Sequence, residues 1–403
     1  MSPALPAGEP APADGALPIS ALDGLGARPF GVYVHVPYCR VRCGYCDFNT
    51  YTAAELGGGA SRASYGTAVR VELELARRVL GEPVPVRTLF VGGGTPTVLV
   101  ADDLVGIVRD VDRVLGLAPG AEVTTEANPD SVDLDYLCCL RDGGINRISF
   151  GMQSAVPRVL ALLDRTHDPE RVPQVVAWAR EAGFEQVSVD LIYGTPGETP
   201  ADWDTSLCAA LALEPDHVSA YALVVEEGTA MARRVGRGEL APTDTDDQAD
   251  RYLAAEEALS AAGLAWYEIS NWARSPAARC AHNESYWTGG NWWGVGPGAH
   301  SHVGGVRWWN VKHPAAYERR LADGLSPAQA REVLDPETRA LERVLLEVRL
   351  VDGLPLKAVA AAGRAAVPDL EADGLVRVTG QQRLVLTLRG RLLADAVVRA
   401  LVD

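Results

Sequence analysis

The sequence is poor in several features that mark large classes of proteins. Its 403 residues include only 7 cysteines, too few at this length for a disulfide scaffold. Lysine occurs only at Lys312 and Lys357, and 53 acidic against 37 basic residues give a formal net charge of −16. Such an acidic chain has no charge-driven reason to bind nucleic acid or an anionic membrane surface. No apolar run reaches the roughly 18 residues of a bilayer-spanning helix.

The first 27 residues also lack basic side chains, and they are rich in proline, alanine and glycine. A secretory signal peptide needs a basic start followed by an apolar run, and neither is present. We therefore expect a disordered tail over residues 1–27 and a cytoplasmic protein. A reducing cytoplasm favours free or metal-bound thiols over disulfides.

From residue 28 to about 263, short apolar strands alternate with amphipathic helices. This alternation predicts an α/β fold with a parallel sheet covered by helices, and six units favour a partial (β/α)6 barrel over a closed barrel of eight. Several predicted strands end in polar or glycine-rich segments, where α/β barrels carry their chemistry. The predicted strands are Val32–Val36, Thr88–Val91, Glu122–Glu126, Arg147–Phe150, Gln186–Tyr193 and His217–Val224. The predicted helices lie near 62–80, 101–115, 131–142, 169–182, 200–212 and 246–262.

The remainder of the chain has a different composition. Residues 264–329 form a connecting segment rich in tryptophan and glycine. Residues 330–403 have the pattern of helices, a two-stranded hairpin and a final helix, which predicts a small winged-helix-like domain.

Three of the cysteines, Cys39, Cys43 and Cys46, follow the first predicted strand with the spacing C-x3-C-x2-C. A structural zinc site usually takes four ligands, and a [4Fe–4S] cluster normally takes four cysteines. Three cysteines on one loop would leave one iron of such a cluster open to a small molecule. The alternative is a set of free or redox-active thiols.

The segment YVHVPYCRVRCGYCDF and the later motifs GGGTP, TEANP, SFGMQS and DLIYGTP resemble the HemN-like branch of the radical S-adenosylmethionine (SAM) superfamily. The match runs continuously from about Gly31 to Thr199. The resemblance implies that the three cysteines hold a [4Fe–4S] cluster and that SAM binds its open iron and splits into a 5′-deoxyadenosyl radical. It implies SAM contacts from Tyr33, Tyr45, Gly93, Gly94, Thr95, Glu126, Gln153, Arg165 and Asp190. Of these, Tyr45, Gly94 and Thr95 occupy positions that contact a second SAM in the HemN-like branch.

Two functions of that branch compete. One is oxygen-independent coproporphyrinogen III oxidase, whose cysteine motif extends to C-x3-C-x2-C-x-C, whereas Phe48 stands at that last position here. The other is haem chaperone, whose HNxxYW motif is matched by His282, Asn283, Tyr286 and Trp287. Imidazole can ligate haem iron and aromatic rings can pack on a porphyrin. The alternative for this motif is local packing. The sequence favours the chaperone, with oxidase as the alternative, and leaves open whether the protein is an enzyme.

Further haem-ligand candidates are His300 and His302, with Cys280 as a weaker one. His35, four residues before Cys39, is either a core histidine bonded to the backbone or a support for the cluster. Cys138, Cys139 and Cys208 occupy apolar helix positions and are expected to be inert core residues. The resemblance implies haem and client haemoproteins as partners, with membrane-associated respiratory enzymes among the clients. Despite the winged-helix-like domain, we expect no nucleic acid.

Overall fold

A computed structural model of the chain describes residues 8–56 and 62–402. Its strands are β1 (Glu9–Pro10), β2 (Phe30–Val36), β3 (Val86–Gly93), β4 (Leu117–Ala127), β5 (Arg147–Gln153), β6 (Gln186–Tyr193), β7 (His217–Ala222), β8 (Ala265–Glu268), β9 (Asn271–Ala273), β10 (Asn291–Val295), β11 (His300–Val303), β12 (Val306–Asn310), β13 (Ala328–Val333), β14 (Leu354–Pro355), β15 (Val376–Val378) and β16 (Arg383–Leu386). Its α-helices are α1 (Ile19–Leu22), α2 (Ala53–Leu56), α3 (Arg62–Leu80), α4 (Ala101–Leu115), α5 (Leu134–Asp142), α6 (Pro157–Leu162), α7 (Arg171–Glu181), α8 (Pro200–Ala212), α9 (Ala230–Gly236), α10 (Thr245–Ala261), α11 (Ala281–Trp287), α12 (Pro314–Ala322), α13 (Pro336–Glu347), α14 (Ala361–Ala372), α15 (Leu388–Leu392) and α16 (Ala394–Val402). None of these helices is long and apolar enough to cross a bilayer.

The predicted α/β fold with a six-stranded partial barrel is confirmed. Strands β2 to β7 pair in chain order, each parallel to the next. On β2, the β-branched Val32, Val34 and Val36 are fully buried in the main hydrophobic core. Side chains alternate along a strand, so Tyr33 and His35 face the interior of the barrel. The interior of the barrel is therefore polar, and the apolar core lies on the other face of the sheet.

The tryptophan-rich segment is not a separate connection. Strand β10 pairs parallel with β2, and β11, β12 and β13 continue the same sheet antiparallel. The sheet has 13 strands in the described residues, in the order β1-β13-β12-β11-β10-β2-β3-β4-β5-β6-β7-β9-β8. Strand β13 ends at Val333, so the boundary predicted between residues 329 and 330 falls within a strand. The many tryptophans make this segment look unlike the barrel strands in composition. They are nevertheless compatible with strands, because large aromatic rings pack well in sheets.

The disordered tail predicted for residues 1–27 does not hold for residues 8–27, whereas residues 1–7 lie outside the described part. Glu9 and Pro10 pair antiparallel with β13, and Ser326 N donates to Ala13 O at 2.7 Å. Ala21 and Leu25 are buried in the main core. Strand β13, which is distant in the sequence, supplies backbone hydrogen-bond partners for this segment. The composition of the segment alone does not reveal such a partner.

A buried carboxylate holds the added strands to the barrel. Glu72 on α3 accepts hydrogen bonds from Gly296 N at 2.9 Å, Asn310 Nδ2 at 2.7 Å and the Tyr317 hydroxyl at 2.6 Å. Burial raises the pKa of Glu72 to about 7, although these hydrogen bonds act in the opposite direction. The network joins α3 to the turn after β10, to β12 and to α12.

The C-terminal region is helical with the predicted hairpin, β15 and β16, to which β14 adds a third strand that was not predicted. Strands β14, β16 and β15 form a separate three-stranded antiparallel sheet. Val344 on α13, Val367 on α14 and Val397 on α16 share a second hydrophobic core with Leu384 on β16.

Candidate functional site

A cavity of about 600 Å³ opens at the carboxyl ends of the barrel strands and extends toward their amino ends. This volume is in the usual range for a small-molecule site. The cavity brings together all three clustered cysteines and eight of the nine predicted SAM contacts. Its wall includes Cys39, Cys43, Tyr45, Cys46, Gly93, Gly94, Thr95, Glu126, Gln153, Arg165 and Asp190.

Tyr33, the ninth predicted contact, does not line the cavity. Its hydroxyl donates to His35 Nδ1 at 3.0 Å, and His35 Nε2 in turn donates to Asn49 O at 2.9 Å. Burial lowers the pKa of His35 to about 4, so the ring is neutral. His35 is thus a buried histidine that ties β2 to the end of the cysteine loop. The hydrogen bond to the Asn49 carbonyl agrees with the first alternative, a core histidine bonded to the backbone.

The cysteine loop is fixed from both sides by backbone contacts. Cys39 N donates to Tyr51 O at 3.1 Å, which closes the loop at its base. At the tip, Gly44 N donates to Leu163 O at 3.2 Å, and Met231 N donates to Gly44 O at 2.8 Å. The loop between β2 and α2 therefore presents its thiols from a defined position over the cavity.

The donor set fits an iron–sulfur cluster better than a single metal ion. Among the described residues, no three His, Cys, Asp or Glu side chains converge on one ion position. In a four-iron cluster each cysteine binds a different iron, so thiols spread around a cavity are the expected arrangement. Burial raises the pKa of Cys46 to about 12, so a metal that binds this thiol must displace its proton.

Glycine at positions 93 and 94 makes room at the end of β3. A Cβ at Gly94 would stand 2.6 Å from Tyr38 O and 3.0 Å from Cys39 Sγ. Gly93 has φ of +109°, and its backbone N donates to Glu126 Oε2 at 3.0 Å. The GGGTP segment therefore approaches the cysteine loop more closely than any residue with a side chain could.

Two partly buried carboxyl groups face the cavity. Burial, together with repulsion from Asp190, raises the pKa of Glu126 to about 8. Burial also raises the pKa of Asp190, although the Ser149 hydroxyl donates to this carboxyl group at 3.0 Å. Groups of this kind can accept hydrogen bonds from ribose hydroxyls or an ammonium group once a ligand enters.

Arg165 supplies the positive charge beside the cysteines. Its Nη2 donates to Gly151 O at 2.7 Å, and its Nη1 lies 3.8 Å from Cys43 Sγ. Gln153 stands at the end of β5 with φ of +63°, where the pairing of β5 with β6 is irregular. A guanidinium held this way can bind the carboxylate of a small zwitterion.

The HNxxYW motif forms α11 at the inner end of the cavity. His282 is 1% exposed, and its Nδ1 and Nε2 lie 2.8 Å from the Thr88 and Tyr286 hydroxyls. Both ring nitrogens are therefore occupied, and His282 has none left for haem iron in this structure. A Cβ at Gly31 would approach His282 Nδ1 to 3.3 Å, so the glycine makes space for the ring.

Of the other motif residues, Asn283 lines the cavity, whereas Tyr286 and Trp287 do not. Tyr286 packs edge-on against Trp292 with ring centroids 4.6 Å apart. The arrangement agrees with the local-packing alternative for His282.

The remaining ligand candidates lie in different surroundings. Cys280 is buried with its sulfur 3.6 Å from Glu122 Oε1, and burial raises the pKa of its thiol. His300 is exposed and stacks on Trp309, and His302 is partly exposed. Among the predicted core cysteines, Cys208 is exposed, so that prediction is wrong for it, and Cys138 and Cys139 are only partly buried.

Several polar residues deep in the cavity were not predicted from the sequence. Arg147 is buried and donates to Ala278 O at 2.8 Å, and His217 is buried with Nδ1 2.8 Å from the Ser188 hydroxyl. The available signal was the alternation of polar residues within the strands, as in Arg147-x-Ser149. Such alternation marks a strand face that looks into a polar interior.

Comparisons with known proteins agree with this geometry. Residues 33–207 match the family model of the Radical SAM superfamily. The chain is 54% identical over 374 residues to the heme chaperone HemW of Mycobacterium tuberculosis H37Rv, covering 93% of this chain and 95% of that protein. It is 32% identical to the heme chaperone HemW of Bacillus subtilis 168, covering 91% and 97%. The solved structure of coproporphyrinogen III oxidase (HemN) from Escherichia coli superposes with a TM-score of 0.81 over 96% of this chain and 94% of that one. Its identity is 23%, so it supports the fold.

Proposed function

The chain belongs to the HemW family within the radical SAM superfamily, and from this premise we propose that it is a haem chaperone. In this proposal it binds haem and delivers it to client haemoproteins, and it carries a [4Fe–4S] cluster with SAM. The relative from Mycobacterium tuberculosis carries the name heme chaperone over a nearly full-length match. Haem is therefore the cargo, and the cavity over the cysteine loop is the cofactor site.

Cys39, Cys43 and Cys46 are the residues that would hold the cluster. When bound, it would supply an open iron for the amino and carboxylate groups of SAM and a source of single electrons. Arg165 would neutralise the SAM carboxylate, and Glu126 lies where it can accept hydrogen bonds from the ammonium or the ribose. The buried setting excludes water and strengthens each of these interactions.

The observation that carries the chaperone over the oxidase is the position of Phe48. This ring is 57% exposed at the mouth of the cavity, where the longer oxidase motif has its fourth cysteine. Phe48 therefore replaces the extra cysteine of the oxidase motif by an apolar ring, whereas the three cysteines that would hold the cluster are all present. The oxidase remains the second candidate because the HemN structure shares the whole fold.

One experiment separates the two functions. Anaerobically reconstituted protein is incubated with a reductant, SAM and coproporphyrinogen III, and in parallel with haemin followed by an apo-haemoprotein acceptor. We expect stable haem binding, transfer to the acceptor and no conversion of coproporphyrinogen III. Formation of protoporphyrinogen with multiple turnovers would reject the chaperone proposal.

The proposal includes partners and compartment. Clients are haemoproteins, with membrane-associated respiratory enzymes among them, and nucleic acid is not a partner because the net charge is −16. Three reduced thiols require a reducing environment, so we place this activity in the cytoplasm.

A further inference from the structure

Strand β11 presents two histidines on the side of the sheet that continues the inner side of the barrel, beyond the residues that line the SAM cavity. His300 and His302 are two residues apart and so point to the same side. His302 lies opposite Trp292 on β10 and opposite Arg307 on β12. The surface made by Trp292, His302 and Arg307 is called the β11 face below, and His300 lies beside it against Trp309.

His302 is oriented in the way that metal-binding histidines are. Its Nδ1 lies 2.8 Å from Gly290 O, and because a carbonyl only accepts, Nδ1 carries the hydrogen. The lone pair of the neutral ring is therefore on Nε2. Within residues 8–56 and 62–402 the hydrogen bonds of His302 involve Nδ1 alone. A backbone carbonyl that fixes the tautomer and the ring orientation is the usual outer partner of a ligating histidine.

Positive charge surrounds His302. Burial and the nearby Arg307, Arg339 and Arg28 lower the pKa of its ring, which keeps it neutral. Arg307 is paired with the carboxylates of Glu332 and Glu342. Arg28 donates to the backbone carbonyls of Thr288 and Gly289, and Arg339 is exposed and packs over Gly305 in the turn between β11 and β12.

Three guanidinium groups therefore face two carboxylates around this histidine. Arg339 forms no ion pair with any residue in the described part of the chain. The local surplus of positive charge is unusual in a protein of net charge −16, and it is complementary to a ligand that carries carboxylates.

A flat aromatic wall stands beside His302. The Trp292 ring is partly exposed, and its centroid lies 5.2 Å from that of His302. The same ring packs on Tyr286, which packs on His282 with centroids 5.0 Å apart. His282 and Tyr286 of the motif thereby support the partly exposed Trp292, and they influence the β11 face without contacting a ligand there.

We infer that haem binds on the β11 face, with His302 Nε2 as the axial ligand of its iron, the porphyrin against Trp292 and the propionates toward Arg339 and Arg307. This inference rests on the proposed chaperone function and specifies its ligand. His300 is a poorer ligand because its ring stacks on Trp309 and has no carbonyl partner among the described residues to fix the tautomer. Two histidines on the same strand face also cannot reach opposite sides of one flat ligand.

The test is a titration of the full-length protein with ferric haem, read by visible absorption and electron paramagnetic resonance. His302→Gln keeps the size and a donor for Gly290 O but has no nitrogen lone pair for iron. We expect it to bind haem about tenfold or more weakly and to lose the histidine-ligated spectrum. The matched control is His300→Gln, two residues along the same strand, which should keep both the spectrum and the affinity. In His302→Ala, added imidazole should restore the histidine-type spectrum, a rescue that a merely structural residue would not show.

A second variant tests the carboxylate contact. Arg339→Ala should weaken binding of iron protoporphyrin but not of its dimethyl ester, which carries no charge on those groups. If wild-type protein binds no haem, the chaperone function fails and this inference fails with it. If wild-type and His302→Gln share one spectrum and affinity, or if the loss occurs in His300→Gln instead, the inference is overturned and the chaperone function stands.

Discussion

The buried Glu72 makes a specific prediction about how stability changes with pH. Its pKa in the folded protein is raised by burial from 4.5 to about 7. The unfolded chain therefore loses this proton at lower pH than the folded protein does. The stabilising contribution of protonated Glu72 is fully present below pH 4.5 and is lost as the pH rises through 7.

The magnitude follows from the size of that change in pKa. At 1.36 kcal/mol for each pKa unit, the contribution of Glu72 to the free energy of unfolding falls by about 3 kcal/mol between pH 4.5 and 7.5. Glu72→Gln removes the ionisable group and hence this component. The variant gives up an acceptor for Gly296 N, Asn310 Nδ2 or Tyr317 Oη, so we expect it to be less stable than wild type at pH 4.5.

The assay is urea unfolding of the cluster-free protein at several pH values from 4.5 to 7.5. The unfolding free energy of the variant minus that of wild type should increase by about 3 kcal/mol as the pH rises. Other buried carboxyls, such as Glu126 and Glu268, titrate in both proteins and cancel in the difference. Glu74→Gln, on the exposed side of the same helix, is the control and should leave the pH dependence unchanged. Parallel curves for wild type and Glu72→Gln would refute the reasoning.

Three further predictions concern the cavity. Cys43→Ser should abolish the visible absorbance of the reconstituted cluster. The control Cys208→Ser, at an exposed cysteine, should keep that absorbance. A full-strength absorbance band in Cys43→Ser would contradict the assignment of Cys43 as a cluster ligand. Gly94→Ala should lower the iron content after reconstitution, because its Cβ would stand 2.6 Å from Tyr38 O; wild-type iron content would show that the loop can move aside. His282→Ala should lower the free energy of unfolding in urea by about 2–4 kcal/mol, because it leaves a cavity and leaves the Thr88 and Tyr286 hydroxyls unpaired. The same variant should keep a histidine-type haem spectrum. Loss of that spectrum in a stably folded variant would return His282 to the ligand candidates.

The barrel could be predicted closely because its signal is local. The helices over 62–80, 101–115 and 200–212 begin and end at the predicted residues. Amphipathic periodicity and strand-like runs are properties of the segment itself, so no distant partner is needed to recognise them. The SAM contacts in the cavity wall came from the resemblance, since no spacing rule joins Glu126 to Asp190.

The features that could not be predicted from the sequence depend on contacts between distant parts of the chain. The pairing of β10 with β2 and of residues 9–10 with β13 leaves no local pattern, so these segments looked like a connection and a tail. His282 reads equally as a ligand or as a packed side chain until Thr88 is seen beside it. His302 became distinct from His300 only when the Gly290 carbonyl was seen on one of its two nitrogens.

The pairing of β10 with β2 also has a consequence for synthesis on the ribosome. Phe30 pairs opposite Asn291, about 260 residues later in the chain. At about 5–20 residues per second, the strand that leads into the cysteine loop has one open edge for tens of seconds while the chain emerges. During that time the open edge is a site for wrong pairing with other chains. A cluster inserted on the nascent chain would meet an unfinished barrel, so insertion after chain release is the order that this topology favours.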